Sequence, residues 1–127
     1  IFDAGTLYVG VDETGSVWGS MNLNGQQLPE YKNGAWTIPA EDRQVAVIHT
    51  LTIDPARAGQ GLARQMVAFA EDTARRQGKT VLRLDTGTEN LPANRMYPAL
   101  GYKAAGTVDT FFMGYAQRPL NLYEKKL

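Results

Sequence analysis

Apolar positions change period several times along this chain, and each change marks an element. Residues 6–11 (TLYVGV) and 16–22 (SVWGSMN) are β-rich and alternate, and Asp12-Glu13-Thr14-Gly15 between them is turn chemistry, with Gly15 suited to positive φ. Together they predict a β-hairpin with Trp18 and Met21 in the core. Residues 44–54 predict a central strand. Val45, Val47, His49, Leu51 and Ile53 share one face if no bulge intervenes, and Ala46, Ile48, Thr50 and Thr52 share the other. Both faces are apolar over much of the length, which suits a strand covered on both sides. Asp54-Pro55 ends it, because proline cannot continue a ladder.

Residues 62–77 switch to helical spacing. Leu62, Met66, Phe69, Ala70, Thr73 and Ala74 form the stripe, Arg64, Glu71, Asp72, Arg75 and Arg76 fall mainly off it, and Gly78 is a stop. Residues 80–85 (TVLRLD) predict the next strand and residues 86–91 a polar loop. Pro92 opens a short helix over residues 93–100, with Pro98 set to distort its last turn and Gly101 ending it. Residues 102–104, 107–115 and 120–126 predict closing strands. Residues 23–43 are the least regular stretch, and a connection this long inside a compact domain is functional or mobile.

The order ββ, long loop, βα, βα, ββ implies one domain with a mixed sheet and helices packed on it. The step from the central strand through its helix to the strand at residue 80 is a right-handed crossover between parallel neighbours. Ligands then belong at the carboxyl ends of those strands, where residues 54–61 lie.

Composition narrows the chemistry. The 127 residues hold thirteen basic and thirteen acidic side chains, so no charge excess argues for nucleic acid or an anionic membrane surface. There is no cysteine, which removes disulfides, thiolate nucleophiles and Cys-ligated zinc, and a single histidine makes a His-based metal site a poor expectation. No apolar run reaches the roughly 18 residues of a membrane span. With no signal peptide visible, the expected location is cytoplasmic.

The stretch from Ile48 to Val67, IHTLTIDPARAGQGLARQMV, carries the strongest functional signal. A strand feeding a glycine loop that opens a helix is an anion site, because the first N–H groups of a helix have no intrahelical partner and the dipole adds positive charge. The nucleotide P-loop does not match, since Gly61 is followed by Leu62 and Ala63 rather than Lys and Ser or Thr. The dinucleotide pattern lacks its third glycine. The segment Ala58-Gly59-Gln60-Gly61-Leu62-Ala63 resembles the acyl-CoA pyrophosphate loop [QR]-x-x-G-x-[GA] of the GNAT superfamily of N-acetyltransferases. Gly61 and Ala63 match. Ala58 departs where Arg or Gln is usual, and Arg57 is a candidate for the missing charge. Downstream, Asn90-Leu91-Pro92-Ala93-Asn94-Arg95-Met96-Tyr97-Pro98-Ala99-Leu100-Gly101-Tyr102 resembles the family's second signature, N-x-x-A-x-x-x-Y-x-x-x-G-[FY], in the proper order and at the proper separation.

This resemblance implies an α/β (α+β) fold with a mixed, mostly antiparallel central sheet, a splayed parallel pair and helices on both faces. It also implies an N-terminal strand and helices ahead of the point where this chain begins, so the chain reads as a fragment. The implied co-substrate is acetyl-CoA, with no metal. Leu51 and Ile53, with Thr52 between them, would offer backbone contacts to the pantetheine and the acetyl carbonyl. The loop from Arg57 and Ala58 through Gly59, Gln60, Gly61, Leu62 and Ala63 would hold the pyrophosphate. Asn90, Ala93 and Asn94 would line the pantetheine arm.

The implied reaction is acetyl transfer to a primary amine by direct attack. Tyr97 occupies the family's position for the acid that protonates the departing thiolate. The central strand has no carboxylate before Asp54, which leaves His49 as its candidate base, with Glu30 and Glu41 on the long loop as further candidates. That loop's Tyr31 and Trp36 read either as a lip of the acceptor site or as aromatics pinning the loop to the body. A non-catalytic acyl-CoA-binding module is the alternative, and another acyl donor is a third reading. The acceptor is a small-molecule or peptide amine, and a homodimer is compatible with the family.

Overall fold

The computed structural model describes residues 6–109, 111–112, 115–116 and 119–127. Strands β1 (Leu7–Val11) and β2 (Val17–Asn24) pair antiparallel as the expected hairpin. Asp12 closes its turn, accepting from the N–H groups of Thr14 at 2.9 Å and Ser16 at 3.0 Å, and Gly15 takes φ 84°. β2 pairs with the central strand β3 (Val45–Ile53), which is followed by helix α1 (Leu62–Arg76) and the parallel strand β4 (Val81–Gly87). Helix α2 (Leu91–Ala99) leads to β5 (Lys103–Val108). Short strands β6 (Phe111–Phe112) and β7 (Tyr115–Ala116) pair with each other apart from the main sheet, and β8 (Leu120–Lys126) inserts between β4 and β5. The six-stranded sheet has the order β1-β2-β3-β4-β8-β5, with only β3 and β4 parallel.

Alternation along the strands divides the core in two. Ala46, Ile48, Leu82, Leu84 and Tyr123 pack with Met66, Val67, Ala70 and Ala74 of α1 and with Tyr97 of α2. Val45, Val47 and Leu122 point to the opposite face, where they meet Tyr31, Ala105 and Val108. Among the described residues both α-helices pack on the first face; the second, where a helix was also expected, is instead roofed by the long loop, which folds a 3-10 turn at Pro29–Asn33 and buries Tyr31. Beyond the turn, the fully buried Glu124 anchors the loop, accepting from Thr37 N–H at 2.8 Å, Thr37 Oγ1 at 3.1 Å and Ile38 N–H at 3.1 Å.

Three local expectations change. A bulge does intervene in β3: Ser20 pairs with Thr52 and Asn22 with His49, so three steps on β3 answer two on β2. Thr50 absorbs the extra residue at φ 51°, the one non-glycine at positive φ among the described residues. Leu51 therefore leaves the Val45–Val47 side and packs against the cluster of Ala46 and Ile48. Glu71, expected off the buried stripe, is buried because Tyr102 donates to its carboxylate at 2.8 Å and Lys125 at 3.1 Å. The break expected between residues 104 and 107 is a bulge inside one strand, β5, with Gly106 at φ 95°. The strand expected over residues 107–115 passes through positions 110, 113 and 114, which lie outside the described residues.

Candidate active site

Strands β3 and β4 are laddered from the Val45–Val81 pair to the Ile48–Leu84 pair and no further. Both continue, β3 to Ile53 and β4 to Gly87, held on their outer sides by β2 and β8. The extra residue at Thr50 bends β3 where the ladder ends. The facing edges part there, and a cleft of about 490 Å³ opens. Ile48, Thr50, Leu51 and Ile53 line one wall, Leu84, Asp85 and Thr86 the other, and Asn90, Ala93, Met96 and Tyr97 of the α2 segment close the back.

A cup of about 270 Å³ adjoins the cleft, sharing Ile53, Ala63 and Met96 with it. Its rim is the Asp54–Arg64 turn. Asp54 caps the 3-10 turn Pro55–Arg57 by accepting from Ala56 N–H at 3.0 Å, and the chain then passes Gly59 and Gly61 at φ 82° and 75°. A Cβ at either glycine would meet nothing within 4 Å, so it is the left-handed backbone that requires glycine here rather than crowding. The first helical bond of α1 runs from Gln65 N–H to Gly61 O at 3.2 Å, which leaves the N–H groups of Leu62, Ala63 and Arg64 ahead of the helical ladder. The cup thus presents main-chain donors at a helix N-terminus, an arrangement that suits a phosphate.

A buried phenol and a half-buried carboxylate line the cleft. Burial, and secondarily the charge of Asp85, pushes the Tyr97 phenol up to about 12, and among the described residues its hydroxyl has no hydrogen-bond partner. Asp85 receives the Tyr31 hydroxyl at 2.6 Å on Oδ2. Burial raises its carboxyl pKa, and the Tyr31 bond partly offsets that. Among the described residues, no group of three His, Cys, Asp or Glu side chains could hold a metal ion.

The acetyltransferase (GNAT) family model matches residues 2–102 of this chain. The chain belongs to the GNAT family. An N-acetyltransferase of Methanocaldococcus jannaschii is 32% identical over 68 residues, covering 54% of this chain and 30% of the relative. Streptothricin acetyltransferase of Escherichia coli is 31% identical over 87 residues, covering 68% of this chain and 45% of the relative. This GNAT chain therefore spans less than half the length of either. Among solved structures, a GNAT protein from Kribbella flavida superposes with TM-score 0.73 at 23% identity, over 95% of this chain and 67% of that one. An acetyltransferase from Salmonella typhimurium, solved with acetyl-CoA, gives 0.68 at 22% identity, over 91% and 61%. These likenesses show the GNAT fold.

Within that fold, the residues named from sequence fall into distinct groups. Leu51, Ile53, Ala63, Asn90, Ala93 and Tyr97 line the cleft, and Arg57, Ala58, Gly59, Gly61, Leu62 and Ala63 line the cup. Thr52 and Gln60 line neither, and the Thr52 hydroxyl meets Ser20 at 3.1 Å. Arg57 is engaged by Asp12 at 2.7 Å, tying the cup to the β1–β2 turn. Asn94 faces inward. It donates to Gly87 O and Asn90 O and accepts from Asn121 Nδ2 and the Tyr123 hydroxyl, which locks α2 to β4 and β8. His49 is buried with Nε2 2.9 Å from Asn24 Oδ1, outside the cleft lining, and burial lowers its pKa. Sequence reasoning passed over Asp85. The available signal was its place as the last residue of TVLRLD, at the carboxyl end of a strand parallel to the central one.

Proposed function

We propose that this chain is the core of an acetyl-CoA-dependent N-acetyltransferase that moves an acetyl group to a primary amine by direct attack. The observation that carries this reading is the end of the β3–β4 ladder at Ile48 and Leu84 beside a glycine-formed cup. The unladdered edges offer backbone groups to the pantetheine amides as a further strand would, which is β-augmentation by a small molecule. The N–H groups of Leu62, Ala63 and Arg64 would take the pyrophosphate, and Asn90 would border the pantetheine arm.

The acetyl thioester supplies an electrophilic carbon and a thiol leaving group. The chain's residues manage the protons. Asp85 lines the cleft and keeps an oxygen beyond the one Tyr31 bonds, which supports it over His49 as acceptor of the amine's proton. The amine nitrogen then bonds the acetyl carbon as the carbon–sulfur bond breaks, and the N-protonated amide so formed releases its second proton to solvent. Tyr97 gives its proton to the thiolate and recovers one from solvent, and Asp85 returns the proton it took to solvent. The two groups are coupled: once Asp85 is protonated, its charge no longer holds the Tyr97 phenol up, so the acid strengthens as the base is used.

The test is thiol release from acetyl-CoA over a broad amine panel, with mass detection of the acetylated product. Turnover on at least one amine is expected. Tight CoA binding with no turnover on any amine would give the chain over to acyl-CoA binding without catalysis.

A further inference from the structure

A second cavity of about 550 Å³ lies on the sheet face opposite the helices, lined by Gln27, Tyr31, Lys32, Trp36, Asp42 and Arg83 among others. Arg83 is unusual in this wall. It sits mid-strand in β4 at 9% exposure, its Cζ 4.2 Å from the centre of the Trp36 ring. Nη1 donates to Gln27 Oε1 at 2.7 Å, while Nε is buried and has no partner among the described residues. An unsatisfied buried donor is costly, and more so when charged. The carboxylates nearest in charge do not answer it: Glu124 is taken by Thr37 and Ile38, and Asp42 accepts from Gln27 at 3.2 Å. Nε is therefore the guanidinium donor left unanswered, and the edge of the guanidinium that carries it is a fork that fits a carboxylate. Lys32, exposed on the same wall, adds a second positive charge.

Tyr31 stands between this cavity and the cleft, lining the one while its hydroxyl bonds Asp85 in the other. Arg83 and Asp85 stand two residues apart on one strand face, with Cα atoms about 7 Å from each other. We infer that the second cavity takes the carboxylate of an aminocarboxylic acid at Arg83, on its Trp36 platform, and thereby sets the acceptor amine beside Asp85. The carboxylate reaches Nε as the guanidinium turns on the indole and Gln27 yields. The inference rests on the acetyl-transfer reading and names its acceptor class: a free amino acid, recognised through its acid group.

The experiment is equilibrium titration of the CoA-saturated chain with the common L-amino acids and their C-terminal amides, with thiol release from acetyl-CoA read in a separate parallel assay. At least one free acid is expected to bind saturably, and tenfold or more tightly than its amide. Arg83→Lys, which keeps charge but loses the fork, should cut that preference below threefold. Lys32→Glu, an exposed change that spares the fold if Arg83→Lys does not, should weaken acids several-fold and leave amides alone. Acids and amides binding alike, acids failing to bind at all, or a folded Arg83→Lys with full preference would overturn the site. Acids bound without thiol release would keep the site and remove acetyl transfer. Amides acetylated as fast as acids would do the reverse.

Discussion

The Tyr31 hydroxyl donates to Asp85 Oδ2 at 2.6 Å, joining residues 54 positions apart in sequence. One partner belongs to the loop that roofs the second sheet face, the other to the strand end where the β3–β4 ladder has opened. The bond holds one carboxylate oxygen from the loop side, and Asp85 also lines the cleft. It also tethers the loop carrying Trp36, whose indole N–H donates to Tyr31 O at 2.6 Å. One phenol thus links the proposed acceptor wall to the proposed proton acceptor.

Removing that bond has a signed consequence. Hydrogen bonding to a carboxylate favours its charged form, so Tyr31→Phe raises the Asp85 pKa further. A carboxyl group accepts the amine's proton only while ionised, so the acid limb of kcat/KM moves to higher pH. The limb should disappear in Asp85→Asn, with a loss of about 100-fold or more, and persist in His49→Gln. The pH profiles of the three variants decide the matter, and the opposite pattern gives the role to His49.

Tyr97→Phe should lower kcat by about 100-fold while leaving the KM for acetyl-CoA nearly unchanged, because it removes a proton donor and little binding surface. Since burial and Asp85 hold the wild-type phenol at about 12, it stays protonated through ordinary assay conditions and gives no alkaline limb of its own there. Single-turnover thiol release checks both statements. A Phe variant as fast as wild type would exclude Tyr97 from the chemistry.

Gly61→Ala places a Cβ in open space but at φ 75°, so the cost is backbone strain of about 1–2 kcal/mol rather than a clash. If the cup holds the pyrophosphate, the variant also raises the KM for acetyl-CoA. Gly15→Ala is the matched control, with φ 84° and equally open space in the β1–β2 turn. It should lose similar stability in urea denaturation and keep its KM.

Glu124→Gln replaces one accepting oxygen with an amide N–H₂ facing donors from Thr37 or Ile38. A loss of about 1–3 kcal/mol is expected. Hydrogen exchange should speed up at Thr37 and Ile38 ahead of the rest of the sheet, since these N–H groups depend on a side chain rather than on a strand ladder.

Local chemistry was enough to place the hairpin, the central strand, α1 and the glycine turn. Alternation in residues 45–48, ahead of the bulge, the three-and-four spacing after Leu62, and the stops at Pro55, Gly78 and Gly101 are each decided within a few neighbouring residues, so they survive folding unchanged. The two signatures likewise placed Gly61, Asn90 and Tyr97 together, because they belong to elements whose order fixes their proximity. Tertiary structure decided the rest. The bulge at Thr50 follows from pairing with β2 on one side and losing β4 on the other, and no single segment encodes a ladder that stops. Glu71 and Glu124 look like surface carboxylates in sequence and are buried because Tyr102, Lys125, Thr37 and Ile38 come to them from distant segments. Asp85 and Arg83 gain their character the same way. A side chain's charge is written in the sequence, but its desolvation and its partners are properties of the packed chain, and those are what turn a strand-end carboxylate and a mid-strand guanidinium into candidate functional groups.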